Sequence, residues 1–401
     1  MSFSYNLFKK ASLDLGIAEN PSNLEIFVRE KYQGKFDPSS LENISYLQDS
    51  ENIFGEYYEL VRTAATELKN DSSALLWAKV VSEYIFHASC EKARALPIPE
   101  LDGTLMRDMI ALLIMIPSML EIRKLLESRG FDNKRIDEHM KTFQNCLAAT
   151  ERKIGRPAHD SHYFKWTILY LKGMIFFAGG FKFEIKKLPK SAIYLQNIKD
   201  KQIIPVMMQG VFHRTGAVLG SAGLEDEKDS FTAQFFEDES TFTGYPVENG
   251  SVLRQMRVFP KNEWEIFAAP GDCVLGTHIP KGADISSQGF DAAIKEALRL
   301  VREYYKEYSV RCLFCHSWLL DNSLADIIGN ESKIVKFGDR FMRIPVKSKG
   351  KEVFNFVFTS QVSSLEELPE NTRLERGLKS LYLGGGYVHG YEGVAKFVDL
   401  D

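Results

Sequence analysis

Residues 271–320 read GDCVLGTHIPKGADISSQGFDAAIKEALRLVREYYKEYSVRCLFCHSWLL, and this stretch decides the fold. Cys273 to Ile279 is a short, mostly apolar run containing the β-branched residues Val274, Thr277 and Ile279, which predicts a buried strand. Pro280 ends it, because proline cannot donate to a ladder. Lys281, Gly282, Ala283 and Asp284 form a loop, and Ser286 is placed to cap the next helix through its hydroxyl. Phe290, Ile294, Ala297, Leu298, Val301 and Tyr305 recur at helical spacing, with Lys295, Glu296, Arg299 and Arg302 between them. Val310 to Leu320 is a second apolar run and predicts a second strand. Strand, helix, strand is a βαβ unit with a right-handed crossover. The loop after its first strand lies where open α/β sheets bind ligands.

Upstream of this unit, Phe181-Lys182-Phe183-Glu184-Ile185 alternates with period two behind a Gly179-Gly180 turn, which predicts a half-buried strand. Ile203–Met208, Phe231–Phe236, Val252–Val258 and Trp264–Phe267 predict further strands, separated by turn sequences such as Asn249-Gly250 and Pro260-Lys261-Asn262. Downstream, Lys333–Phe337, Phe341–Val346 and Val353–Phe358 read as antiparallel strands, with Ser348 to Lys351 as a hairpin turn. A last helix spans Thr372 to Leu383, with Gly384 at its C′ position, before a glycine-rich tail with a strand at its end.

The first 160 or so residues read as helical. Ile53, Tyr57, Leu60, Ala64 and Leu68 share a face of a helix that stops at Asn70-Asp71-Ser72-Ser73. Leu75–Ala88, Thr104–Glu127, Lys134–Arg152 and His162–Leu171 follow. The Thr104–Glu127 helix is apolar on most sides near Ile110 to Met115, which places it at the bundle centre, and Pro117 should kink or split it.

The whole chain has 401 residues, is 44% hydrophobic and 26% charged, and carries a formal net charge of −4. These values fit a globular protein of two or three domains and give no reason to expect nucleic acid as a partner. The opening residues lack the basic-then-apolar order of a signal peptide, and the longest apolar run, Met109 to Pro117, is too short to span a bilayer. Five cysteines, an odd number, argue for a reducing compartment, so a cytoplasmic location with no membrane partner is expected.

Several candidate sites emerge. Cys312-Leu313-Phe314-Cys315-His316 spells the attachment pattern of c-type haem, but no export signal accompanies it. Residues three apart on a strand also face opposite ways, so neither haem nor zinc is expected. His278 ends the first strand and His316 lies in the second. On parallel neighbours both imidazoles reach the ligand end of the sheet, where histidine serves as a general base. Each also reads as an ordinary hydrogen-bonded histidine. Lys281, Gly282, Ala283 and Ser286 set a cation, a free backbone and a hydroxyl at a helix N-terminus, which suits a pyrophosphate, while Asp284 in the same loop favours simple capping. His213 and His389 have no metal-ligand spacing, and no metal is expected.

Two stretches carry a family resemblance. Trp264 to Gly282 follows W-x-x-F-x(4)-D-x(2)-L-x(2)-H-I-P-x-G, and Leu313 to Asp321 reads LFCHSWLLD. With Gly244-Tyr245-Pro246-Val247 and Leu374-x-x-Gly377-Leu378, they resemble bacterial GNAT-like acyltransferases, covering most of residues 165 to 390. The resemblance implies an α+β protein: a helical N-terminal domain over residues 1–165 and a mixed-sheet GNAT-like domain over residues 166–401. It implies that the two central parallel strands splay and admit the pantetheine arm of an acyl-CoA or acetyl-CoA substrate. Thr277, His278 and Ile279 would line the arm, Lys281, Gly282, Ala283 and Ser286 would face the pyrophosphate, and Asn322 would sit near the pantetheine. The sequence departs from the family's Q/R-x-x-G-x-G/A loop, having one glycine and an acid there. The expected activity is acyl transfer to a small amine, with His278 or His316 as base and Cys315 or a tyrosine as acid. No glutamate base stands out on the two strands. The alternative is a degenerate GNAT fold that binds a ligand or protein without catalysis. Partners are then small molecules, with a homodimer left open.

Overall fold

The computed structural model describes residues 5–358 and 364–397; the end of the glycine-rich tail, residues 398–401, lies outside them. The chain divides into two compact units, residues 1–176 and 177–401.

The first unit is helical: α1 (Tyr5–Asp14), α2 (Ser22–Glu30), α3 (Leu41–Glu51), α4 (Tyr58–Asn70), α5 (Ser72–His87), α6 (Cys90–Arg94), α7 (Leu105–Leu113), α8 (Ile116–Ser128), α9 (Asn133–Ile154) and α10 (Ser161–Leu171). Short polar residues set the boundaries. Asp71 accepts from the amides of Ser73 and Ala74 to start α5, and Asp132 and Asp160 cap α9 and α10 in the same way. The long apolar helix is split, as expected. Pro117 falls in the first turn of α8, where a missing N–H costs nothing, and Met109 to Ile116 are at most 1% exposed. One detail differs: Leu60 is 37% exposed and Val61 takes the buried position, because a 3₁₀ turn over Gly55–Tyr57 precedes α4 and shifts its phase.

The second unit is built from β1 (Ile175–Ala178), β2 (Phe181–Lys187), β3 (Ala192–Asn197), β4 (Ile203–Met207), β5 (Gln209–Phe212), β6 (Phe231–Gln234), β7 (Phe236–Glu237), β8 (Thr241–Glu248), β9 (Ser251–Val252), β10 (Arg257–Pro260), β11 (Trp264–Ala268), β12 (Cys273–His278), α11 (Ser287–Tyr304), β13 (Leu313–Ser317), α12 (Leu324–Ile328), α13 (Lys333–Gly338), β14 (Met342–Pro345), α14 (Glu352–Phe356), α15 (Arg373–Leu383) and β15 (Tyr391–Ala395). A six-stranded mixed sheet has the order β1-β2-β12-β13-β15-β14. Its central pair, β12 and β13, is parallel, and the neighbouring pairs β12–β2, β13–β15 and β15–β14 are antiparallel. A second sheet runs β10-β8-β4-β3-β11, with β7 and β9 also on β8. β10 and β11 lie at its opposite edges yet are joined by only residues 261–263, so the sheet curls until its edges meet. Ile193, Leu195, Ile204, Val206, Phe242, Phe259 and Trp264 fill the interior.

Strand alternation sorts the first sheet's side chains. Phe181 on one face meets Phe290 of α11, with ring centroids 5.1 Å apart. Val274, Phe314, Ile344 and Val394 on the other face join Tyr194, Ala192 and Met207 of the second sheet in one core.

Five expectations are corrected. Lys333–Phe337 is helical, because the Ser332 hydroxyl accepts from the Ile334 amide and starts α13. Val353–Phe358 is not the second arm of a hairpin: Val353, Phe354, Val357 and Phe358 recur at helical spacing and pack with Leu378 and Tyr382, and residues 352–356 form α14. Val252–Val258 is broken into β9 and β10. Gly384 has φ −77, and Gly385 is the left-handed residue that ends α15. The second strand of the βαβ unit is also shorter than expected. The Ser317 hydroxyl accepts from the Leu319 amide and turns Trp318–Leu320 into a 3₁₀ turn.

Candidate functional site

The β12–β13 ladder pairs Leu275 with Leu313, Gly276 with Phe314 and Thr277 with Cys315, and stops there. Each strand stays paired on its outer side, His278 with Lys182 and His316 with Glu392. The ladder between the central strands therefore ends at the two histidines. Both histidines share the face of Gly276 and Phe314, where they remain accessible.

His278 has the closer carboxylate of the two. Its Nε2 lies 2.9 Å from Oε2 of Glu184, whose side chain is 3% exposed. Glu184 comes from β2, opposite Gly276, and reaches His278 across the ladder. An Nε2–H donated to this carboxylate sets the tautomer and puts the lone pair on Nδ1. His316 is more open: its side chain is 59% exposed, and Nδ1 lies 3.8 Å from Oε1 of Glu392 on β15. Lys186, also from β2, sits on the same face with its ammonium 4.8 Å from the centre of the Phe314 ring.

Cys315 is not part of this group. It points to the opposite face, toward α11, is buried, and burial pushes its thiol up to about 12. A thiol in that position cannot serve the two histidines as their acid. Thr277 lies beside it, buried, with Oγ1 lacking a hydrogen-bond partner.

Ile279 leads from β12 into the loop. The Ala283 amide donates to the Pro280 carbonyl at 3.1 Å, with Gly282 at φ +86, so Lys281 and Gly282 form the exposed tip of a tight turn. Asp284 accepts from the Ser286 amide at 3.1 Å, and Ser286 Oγ accepts from Gly289 at 3.2 Å. The Ser286 side chain thus caps one free amide in the first turn of α11. The Ser286 amide holds the Asp284 carboxyl below the usual carboxylate range. Asn322 is exposed, donates to the Asn249 carbonyl and accepts from Arg343, which ties it to the β8–β9 turn. His213 bonds Thr215 and His389 bonds the Ala222 carbonyl; among the described residues no group of three metal-ligating side chains gathers. Among those residues no helix is long and apolar enough to cross a membrane.

Glu184 and Lys186 are the residues sequence reasoning missed. They occupy the polar positions of an alternating strand, where the period predicts solvent. The signal available was Gly276 in the middle of a buried strand, which marks a close approach by another group.

Residues 175–395 match the family model described as the GNAT-like C-terminal domain. The match spans more than half of the chain, and the chain belongs to this family. The fold is shared with solved structures over 98% of this chain and 99% of each of theirs. They include an acyltransferase in complex with decanoyl-CoA (TM-score 0.64, 15% identity), a mutant acyltransferase with octanoyl-CoA (0.62, 15%), and an acyltransferase with decanoyl-CoA and teicoplanin (0.61, 16%). No curated protein matches the sequence.

Proposed function

We propose that this protein is an acyl-CoA-dependent N-acyltransferase that moves an acyl group from the thioester to an amine of a small molecule. The observation that carries the reading is His278, backed by buried Glu184 at 2.9 Å, where the central strands part. Family membership and the acyl-CoA complexes of structures with this fold support the donor class. The acyl arm enters between β12 and β13, lined by Thr277, His278 and Ile279. The acceptor nitrogen attacks the thioester carbon, the N–C bond forms and the C–S bond breaks. Nδ1 of His278 takes the ammonium proton, Glu184 steadies the imidazolium, and the proton passes to the departing thiolate. Backbone amides of β12 polarise the carbonyl oxygen. The helical segment 1–165 and the catalytic segment 166–401 act in the cytoplasm, where the five unbridged cysteines stay reduced.

The test is thiol release from acetyl-, octanoyl- and decanoyl-CoA with a panel of primary amines. His278→Ala should lower kcat/KM by about 10²- to 10⁴-fold while calorimetric binding of the acyl-CoA persists. Glu184→Gln should give a smaller loss, about tenfold or more. Full turnover by His278→Ala sinks the assignment.

A second reading rests on Ser286, whose hydroxyl already occupies the Gly289 amide in the first turn of α11, and on Asp284, an anion where a pyrophosphate would lie. On that reading the fold is a binding module without catalysis. Absence of binding by all three acyl-CoAs at millimolar concentration selects it.

A further inference from the structure

We infer that Lys186 makes the site selective for a substrate carrying a carboxylate, an inference that rests on the acyltransferase reading above. Lys186 starts on β2 opposite Val274, and its stem then crosses β12 over Gly276. The path uses the missing side chain at position 276: a Cβ there would lie 2.9 Å from Lys186 Cδ and push the stem aside. The ammonium arrives over Phe314, 4.8 Å from the ring centre, on the sheet face that also carries His278 and His316. Phe314 is 3% exposed and lies one ladder step below the point where the strands part, two residues before His316 and on its face.

No carboxylate of the described residues pairs with this ammonium. The acid that shares its strand and face, Glu184, is turned to His278. Most other lysines drawn into packed surroundings in this unit find an acceptor: Lys379 pairs with Glu370 at 2.6 Å, and Lys261 with Glu237 at 2.7 Å. Lys186 has the face of a ring instead, which attracts a cation without neutralising it. A partly buried ammonium that lacks a counterion in the chain favours an anionic ligand over a neutral one. A thioester oxygen carries no full charge. A substrate carboxylate does, and it is small enough to lie on the floor beside Phe314 while the reacting amine or thioester stays near His278.

The carboxylate can belong to the acceptor, as in an amino acid, or to the acyl donor, as in a dicarboxylic thioester. Kinetics with glycine against glycinamide, each with decanoyl-CoA, tests the first. Succinyl-CoA against butyryl-CoA, each with glycinamide, tests the second. Wild type should favour the carboxylate member of one pair, and Lys186→Met, which keeps the stem over Gly276, should reduce that preference by about 10- to 100-fold. The change should fall on KM more than on kcat, and Lys186→Arg should restore part of it. Binding of N-decanoylglycine against its amide, and of succinyl-CoA against butyryl-CoA, followed by calorimetry, gives the same comparison without turnover. If no thiol is released from any acyl-CoA but Lys186→Met still loses carboxylate binding, the transfer reaction fails and the recognition stands. If wild type shows no carboxylate preference in turnover or binding, or if folded Lys186→Met keeps it in full, the inference is overturned.

Discussion

At position 159 a histidine lies at 0% exposure in the helical unit. Its Nε2 is 3.4 Å from Thr167 Oγ1, and Nδ1 has no partner. Burial lowers its pKa from 6.5 to about 4, because a charged imidazole there is cut off from solvent, and the nearby Asp160 carboxylate offsets only part of that cost. The unfolded chain then binds a proton at higher pH than the folded one. Stability from this group is complete above about pH 6.5 and is lost as pH falls toward 4, by about 3 kcal/mol in total. Denaturant unfolding at pH 7.5 and 5.5 should show a loss of about 1 kcal/mol in wild type that His159→Gln lacks. Equal losses in both proteins would remove His159 from the acid response. Glu184 shows the opposite solution to burial: it keeps a buried carboxylate by setting it against an imidazole.

Among the elements, the β1–β2 turn shows how close packing differs from backbone strain. Gly179 and Gly180 have φ of +52 and +81, a region where any side chain is strained. Beyond that strain, a Cβ at 179 would lie 2.6 Å from Cα and Cβ of Ala293 in α11, whereas at 180 it would meet nothing within 4 Å. Gly180→Ala should therefore cost about 1 kcal/mol, and Gly179→Ala about 2–4 kcal/mol, measured as shifts in the unfolding midpoint. Equal costs would mean that α11 moves aside freely. The same reasoning explains a sequence motif. In Leu374-x-x-Gly377-Leu378, a Cβ on Gly377 would lie 2.1 Å from Ile327 Cγ2, so the glycine lets α15 approach α12.

For the second unit as a whole, the integrity of the main sheet depends on its last strand. β15 pairs with β13 on one side and β14 on the other, and Val394 is 0% exposed in the core between the sheets. A chain ending at Gly390 loses both ladders and leaves two strand edges unpaired. It should lose the near-ultraviolet circular dichroism of the aromatic residues packed in this unit and aggregate at the concentration where the full chain is monodisperse. A truncated chain with native near-ultraviolet signal would show that β13 and β14 close on each other without it.

Local chemistry was enough to write the βαβ unit into the sequence. Pro280, the Ser286 cap and the spacing of Phe290, Ile294 and Val301 act within a few residues, and so do the aspartates that start α5, α9 and α10. The family resemblance was legible for the same reason, since its two motifs lie on β11–β12 and on β13. Tertiary structure alone decided the rest. Glu184 and His278 are 94 residues apart, and their contact follows from which strands are neighbours, a matter on which periodicity is silent. The insertion of β15 between β13 and β14 is of the same kind. The short helices α13 and α14 read as strands in the sequence because segments of five or six residues, with three large apolar ones, fit either period, and only a cap and a packing partner separate the two. Lys186 reads as a solvent residue by alternation; its place over Phe314 follows from Gly276, one strand away, leaving a path across the sheet.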